Sequence, residues 1–473
     1  MIFALLACTA PAPEGSATPG ERSARLRADG TRIVDGAGET VILRGVALGG
    51  WNFHENWITG VDYPAHARLH VIGQEAGFGD DVDAVLRGVG PNEDGDEAWL
   101  AAVSAGLTER ICVETSESLL ATYPSVVDDS DRALRIALET RFGTDGRDRL
   151  LDTFQRAWVT QADLDWIAAQ GMHTVRVPLG YRGLTRGSDL APLTELAWNE
   201  AAFARLDALL DGCEAAGLYA VLDMQEAPGG QNAYAGESTL YADPAMQALT
   251  VELWEELSRR YADRDSVAAY SLLAEPMRAP DDAARDAVYD QLVRAIRARG
   301  DDHLLVIHDG FQGMDTLPAP TSVGWEGVVY STHLFEWGAQ DLNDYEAVVA
   351  LYGTVFAVAQ AEQDVPYYIG SFSTFVDADW AYDGAERMVE WYEDAGYGWT
   401  LWTYKRIDDP VDIALFGTET AWGLRGRLTT PFDRPDVYRA DEATLNAKLA
   451  ACAEVGLEEN PALLAALRSG MAR

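Results

Sequence analysis

Lysine is nearly absent: Lys405 and Lys448 are the only two in 473 residues. Arginine supplies the remaining positive charge, and 36 basic side chains face 76 acidic ones, for a formal charge of −40. A field of that sign repels phosphate backbones and anionic lipid, so nucleic acid is excluded as a partner. The acidity reads as a solvated, salt-tolerant surface rather than a recognition device. Seven histidines are too scattered to form a zinc site. The four cysteines, Cys8, Cys112, Cys213 and Cys452, have no metal-ligand spacing, and the last three are compatible with free thiols or one disulfide. Beyond the amino terminus no apolar run reaches the roughly 18 residues that a membrane-spanning helix needs.

Three further absences bear on function. The acidic stretch at 90–97 (GPNEDGDE) keeps its glycine and late glutamate out of step with a calcium loop. Gly229-Gly230 lacks the lysine and hydroxyl residue of a phosphate cradle. Ser371, within Gly370-Ser371-Phe372-Ser373, lacks the flanking glycines of a nucleophile elbow.

What the chain does have is rings: 14 Trp, 19 Tyr and 13 Phe. Flat rings floor sugar-binding clefts, although most aromatic side chains simply fill a core. At the start, Leu5-Leu6-Ala7-Cys8 followed by a Pro/Ala/Gly/Ser/Thr tract resembles a bacterial lipoprotein signal. That resemblance implies export to the cell envelope or medium, with a lipid anchor at Cys8, and residues 1–24 form a signal and linker.

From residue 25 the elements alternate. Two turn signals at 28–30 and 35–38 predict a hairpin leading into a first core strand at 42–48. Residues 60–149 are helical and acidic and read as an insertion beside the cleft mouth. From residue 160 helix and strand alternate to residue 404, with strands at 174–180, 218–224, 267–276, 303–309, 327–333, 366–371 and 397–404. Eight strands in that rhythm predict a (β/α)8 barrel over 25–439, followed by a helical tail at 440–473. In such barrels the active site lies at the carboxyl ends of the strands. Glu275 stands there, because Pro276 cannot continue a sheet ladder and must end its strand. Arg176 lies inside a β run, where a charge is costly unless a carboxylate pairs with it.

Six stretches in order resemble glycoside hydrolase family 5, of the cellulase superfamily, and within it the exo-β-1,3-glucanase branch. They are RGVALGGW with Glu55, Trp57 and Ile58; GMHTVRVPLGY; DMQEAPGGQN; LLAEP; IGSFS; and LWTYK. The resemblance implies Glu275 as the acid/base and Arg176 as the residue that orients the carboxylates. It implies His333 near the leaving group, Trp402 stacked on the sugar, and Glu55 bonded to sugar hydroxyls. No cofactor is implied, since glycosidic hydrolysis uses carboxylates and water. The expected partner is a β-glucan or related glycan, and the expected state is a monomer.

Four positions depart from the family pattern, all at the chemistry. The nucleophile position is Ser371, the Asn before the acid/base is Ala274, the Tyr after His333 is Phe335, and the third-strand His is Gln225. Retaining hydrolysis needs two carboxylates about 5–5.5 Å apart, and a neutral hydroxyl cannot replace one of them. The expectation is a carbohydrate-binding relative that no longer runs the parental reaction. Two alternatives stand beside it. One is an active, inverting glycosidase in which Glu226 or Glu336 works at about 6.5–9.5 Å from Glu275. The other is a non-binding scaffold lipoprotein, its cleft filled by Phe335 or Trp337.

Overall fold

The predicted alternation closes into a barrel. The computed structural model describes residues 25–61, 65–90, 97–121, 130–232, 237–336, 338–375, 378–407, 411, 415, 423–428 and 433–472. Cys8 and Trp337 lie outside the described residues. The strands β1 (Arg27–Asp29) and β2 (Arg32–Val34) pair antiparallel as the expected hairpin. β3 (Arg44–Ala47) lies parallel to β4 (Thr174–Gly180). A minor antiparallel pair, β5 (Thr185–Arg186) and β6 (Ala197–Trp198), follows the exit of β4. β7 (Tyr219–Glu226), β8 (Val267–Ser271), β9 (Leu304–His308), β10 (Val328–Phe335), β11 (Tyr367–Ser373) and β12 (Gly398–Leu401) complete the circuit, and β12 returns to β3. This is a (β/α)8 barrel.

Every residue of β4, β7, β8, β9 and β11 is buried, as parallel strands covered on both faces require. The helices between them begin at side-chain caps: Asn199, Asp243 and Asp281 each accept an orphan first-turn N–H. The hairpin closes the amino-terminal end of the barrel. Leu26 and Ile33 join Leu43, Tyr219, Val221, Leu304, Val306 and Tyr368 in one cluster there. The carboxyl ends of the strands are therefore the open end.

Between β3 and β4 the chain is helical, and helices 65–76, 79–89, 97–110 and 113–121 share a small core around Leu69, Leu86, Trp99, Val103 and Leu107. The helical stretch Asp131–Trp158 spans residue 149 and comprises two helices that meet at a kink at Gly143. At Gly143 φ is +72° and the backbone leaves the helical region, and the second helix docks Leu150, Phe154 and Trp158 into the main core.

A buried ion network ties this helix to the barrel rim. Arg147 Nη1 lies 2.6 Å from Glu139 and 2.5 Å from Asp189, and Asp189 also takes Arg135 at 3.0 Å and Arg182 at 3.1 Å. Removing one partner of such a network leaves an unpaired buried charge, at a cost of about 3–5 kcal/mol. After the barrel, helices Glu442–Ala451 and Pro461–Met471 cover its outside, burying Leu445, Leu463 and Leu467. Cys112, Cys213 and Cys452 are free thiols. Among the described residues no helix is long and apolar enough to cross a membrane.

Gly45 tests the β3–β4 contact. A Cβ there would stand 1.7 Å from the Thr174 carbonyl oxygen. Gly45→Ala is expected to destabilise the protein by about 3 kcal/mol. Gly88→Ala, in a helix with open space around it, is expected to be neutral or to gain ~0.5–1 kcal/mol. Urea unfolding checks both, and equal midpoints would contradict this pairing.

Candidate active site

β4 turns Arg176 into the barrel interior, where it is 1% exposed. Its Nη2 lies 2.7 Å from Asp223 Oδ2 on β7 and donates to Gln225 Oε1 at 3.1 Å. Its Nη1 donates to Ser371 Oγ on β11 at 3.4 Å, and its Cζ is 5.5 Å from the Trp402 ring centroid. One guanidinium thus brings together three of the sequence-predicted positions, Gln225, Ser371 and Trp402. Asp223 escaped the sequence reading. Its signal was the same as that of Arg176, a charge inside a β run one strand away.

Glu275 stands just past β8 with φ at +48°. Such a backbone costs ~1–3 kcal/mol for a residue other than glycine and persists only where its surroundings enforce it. Here Ala274 N–H donates to the Met224 carbonyl at 2.9 Å, and Met277 N–H to the Glu275 carbonyl at 2.7 Å. Gln231 Nε2 holds the Ala274 carbonyl at 2.9 Å. The carboxyl meets His333 Nδ1 at 2.6 Å. His333, on β10, lies edge-on to His308 of β9 with ring centroids 4.5 Å apart. Gly310 N–H donates to His308 Nδ1 at 2.9 Å, so a neutral His308 carries its proton on Nε2.

Burial holds both imidazoles well below their ordinary pKa. Burial also raises that of Glu275, while His308 and Arg176 pull it down. His308 was not foreseen as a site residue, nor was Phe311 in the following loop. Phe311 is 44% exposed, and its ring centroid lies 6.2 Å from that of His333.

Glu55 follows β3 at the head of the helical turn Asn56–Thr59, and its carbonyl accepts from Ile58 and Thr59 N–H at 3.0 Å. Its Oε2 is buried with no hydrogen-bond partner among the described residues. Burial, and then the like charge of Glu275, push its pKa up to about 8 against the pull of Arg176. Phe335 ends β10, its ring edge-on to His333 at 5.6 Å and tilted against Phe375 at 5.0 Å. Trp402 follows β12 and is 5% exposed, with its backbone N–H on the Phe372 carbonyl at 2.8 Å. Ala274 is fully buried beside Glu275.

The two alternative carboxylates point elsewhere. Glu226 accepts from Arg182 Nε at 2.9 Å, and its acidic neighbours are Asp131 and Glu237. Glu336 is half-buried, with Asp344 as its charged neighbour. The acids whose fields couple to Glu275 are Glu55 and Asp223.

Residues 141–407 match the family model for cellulase (glycosyl hydrolase family 5). This chain belongs to glycosyl hydrolase family 5. Among family 5 and other curated proteins it is similar to a beta-xylosidase of Phanerodontia chrysosporium, 27% identical over 317 residues, 66% of this chain and 52% of that one. An endoglucanase C of Acetivibrio thermocellus is 28% identical over 39% of this chain and 51% of its own. A probable glucan 1,3-beta-glucosidase A of Neosartorya fischeri is 26% identical over 53% of this chain and 61% of its own. The chain thus spans about half the length of the curated relatives it matches. Among solved structures, a crystal structure of endogalactoceramidase shares the fold, with a TM-score of 0.51 and 17% identity over 90% of this chain and 84% of that one.

The raised pKa of Glu55 gives a stability signature. The unfolded carboxyl titrates near 4.5 and the folded one near 8. Between these values the unfolded state binds fewer protons, so stability falls as pH rises. Each such group contributes a slope of about 1.4 kcal/mol per pH unit. Glu226, also raised to about 8 by burial, adds to the same trend. Urea unfolding at pH 5 and pH 8 should show wild type losing stability and Glu55→Gln losing distinctly less. Parallel losses would refute the assignment.

Proposed function

We propose that this family 5 chain, of the exo-β-1,3-glucanase-like branch, binds β-glucan-type carbohydrate and has lost the parental double displacement. The observation that carries this is Ser371. Its Oγ lies 3.4 Å from Arg176 Nη1 and 3.5 Å from Thr400 Oγ1. Neither neighbour is a base, so the hydroxyl has no means of activation. Phe335 brings no hydroxyl to steady a nucleophile, and Ala274 brings no amide to grip the sugar's 2-hydroxyl.

The binding half of the reading rests on what is kept. Trp402 supplies a flat ring beside Arg176. Glu55, with its pKa near 8, is largely protonated at neutral pH and both donates to and accepts from sugar hydroxyls. The relatives' names, a beta-xylosidase, an endoglucanase and a glucan 1,3-beta-glucosidase, support a glycan as the ligand. The signal-like start at Cys8 supports an exported, lipid-anchored protein.

The unpartnered Oε2 of Glu55 favours a second reading. In it Glu55 activates water while Glu275 protonates the leaving oxygen, with inversion at the anomeric carbon.

Purified protein and β-1,3-gluco-oligosaccharides decide between the two. The first reading expects heat of binding in calorimetry and no release of reducing sugar. Ser371→Glu combined with Phe335→Tyr should then create measurable hydrolysis. Turnover by the wild type that is lost in Glu55→Gln would install the second reading. Wild-type turnover that survives Glu275→Gln would overturn both.

A further inference from the structure

We propose that the outer face of helix Leu342–Gln363 is a lipid-contact surface that lies on a zwitterionic phospholipid bilayer, a proposal resting on the lipid-anchored reading of Cys8. Seven large apolar side chains are exposed among the described residues, and three of them, Leu351, Val355 and Val358, stand on this helix. Their spacing of four and then three residues puts them on one face. Leu351 is 62% and Val358 57% exposed, and the exposed Ala347, Ala350 and Ala361 extend the strip. On the opposite side Phe356 and Ala359 are buried against the barrel. In a chain of which 24% is charged, residues 347–361 carry no charge at all. A surface helix normally turns its charged face outward, and this one turns a second apolar face outward instead.

The fold leaves that face bare. The tail helix Pro461–Met471 shields the next helix, Asp379–Ala395, where Ser469 Oγ donates to Glu386 Oε1 at 2.7 Å. A second copy is a poor occupant. Two chains of charge −40 repel one another. A strip about 22 Å long and 10 Å wide also falls well short of the about 800 Å² that each partner buries in a stable dimer. A bilayer needs no complementary shape, only an uncharged apolar face.

The path of the chain places lipid within reach. The helix ends at Gln363, and its C-cap Asp364 touches the amino-terminal hairpin, where a Cβ on Gly30 would stand 3.1 Å from Asp364 Oδ1. Arg25, five residues earlier, is tied to the same end of the barrel by Asp265 at 3.3 Å and Asp302 at 3.4 Å. Sixteen residues, 9–24, separate it from Cys8, and a chain of that length reaches at most about 53–58 Å. The helix is about 33 Å long, so an anchor at Cys8 allows its whole length to meet the bilayer. Stable attachment takes two signals, and a lipid chain with an apolar protein face supplies them. The remaining acidic surface disfavours any orientation that presses carboxylates on the headgroups, and it favours zwitterionic over anionic lipid. A helix on the flank of a (β/α)8 barrel runs along the barrel axis. Contact along it lays the barrel on its side, with the cleft opening along the membrane plane toward envelope glycans.

The test uses the full chain, produced in a bacterium that processes lipoproteins and reconstituted into vesicles of phosphatidylcholine and phosphatidylethanolamine. A phosphatidylcholine with a photoreactive acyl chain marks contacts, and mass spectrometry reads both the crosslinked peptides and the state of Cys8. The expected result is an acylated Cys8 with crosslinks concentrated in residues 342–363. Leu351→Glu combined with Val358→Glu should lower that yield by about tenfold or more, while Val113→Glu, exposed elsewhere, should leave it unchanged. Acylated Cys8 with crosslinks elsewhere, or undiminished in the double variant, would overturn the surface and leave the anchor standing. Unmodified Cys8 without vesicle binding would overturn both. Unmodified Cys8 with crosslinks in 342–363 would support the surface and remove the anchor. A dimer in sedimentation velocity that the double variant dissociates would assign the face to a second copy and overturn the proposal.

Discussion

A guanidinium inside a β-barrel is the constraint on which this site depends. Arg176 is almost wholly buried, and an unpaired charge there would cost several kcal/mol. Asp223 on the neighbouring strand removes that cost at 2.7 Å. The two side chains come from β4 and β7, adjacent parallel strands in a fixed register. Neither can shift without stranding the other. Everything chemical is arranged around this pair: Gln225 and Ser371 bond to the guanidinium, Trp402 lies beside it, and its field opposes the rise in pKa of Glu55 and Glu275.

The same pair explains how a serine is tolerated at the end of β11. Had Arg176 relied on a carboxylate at position 371, its loss would leave a buried cation without a counter-charge. Because Asp223 already supplies the counter-charge, Ser371 is left only a long, weak contact with the guanidinium. The remaining acids adjust by protonation. Desolvation is the largest influence on both Glu55 and Glu275, and the charge of Glu275 further disfavours that of Glu55. The pocket therefore tends toward electrical neutrality, while its shape is held by backbone contacts. Ala274 and Trp402 illustrate this, since their N–H groups are bound to carbonyls of neighbouring strands.

Much of this was legible in the chain itself. Buried strands show as short apolar runs, Pro276 marks where one must end, and Arg176 betrays itself as a charge out of place. What escaped depends on contacts between distant segments. Asp223 becomes the partner of Arg176 only through the β4–β7 register, which no local pattern encodes. His308 meets His333 only because β9 and β10 are neighbours. Glu226 stands on the expected rim yet turns to Arg182, because position on a rim says nothing about direction.

The surface and the pocket obey different electrostatics, and the difference bears on what the cleft receives. Outside, a charge of −40 repels anions at long range, although salt screens exposed charges beyond about 8 Å under physiological conditions. Inside, Arg176 and Asp223 cancel one another out of reach of solvent ions. An anionic glycan would meet repulsion on approach and, in Arg176, a cation already paired with Asp223. A neutral, hydroxyl-rich ligand meets neither obstacle. On the proposed reading, stacking on Trp402 and hydrogen bonds from a protonated Glu55 hold it, and both are insensitive to the outer field. The acidity of the chain therefore selects against anionic ligands, and on the proposed reading specificity is left to rings and hydroxyl partners within the barrel mouth.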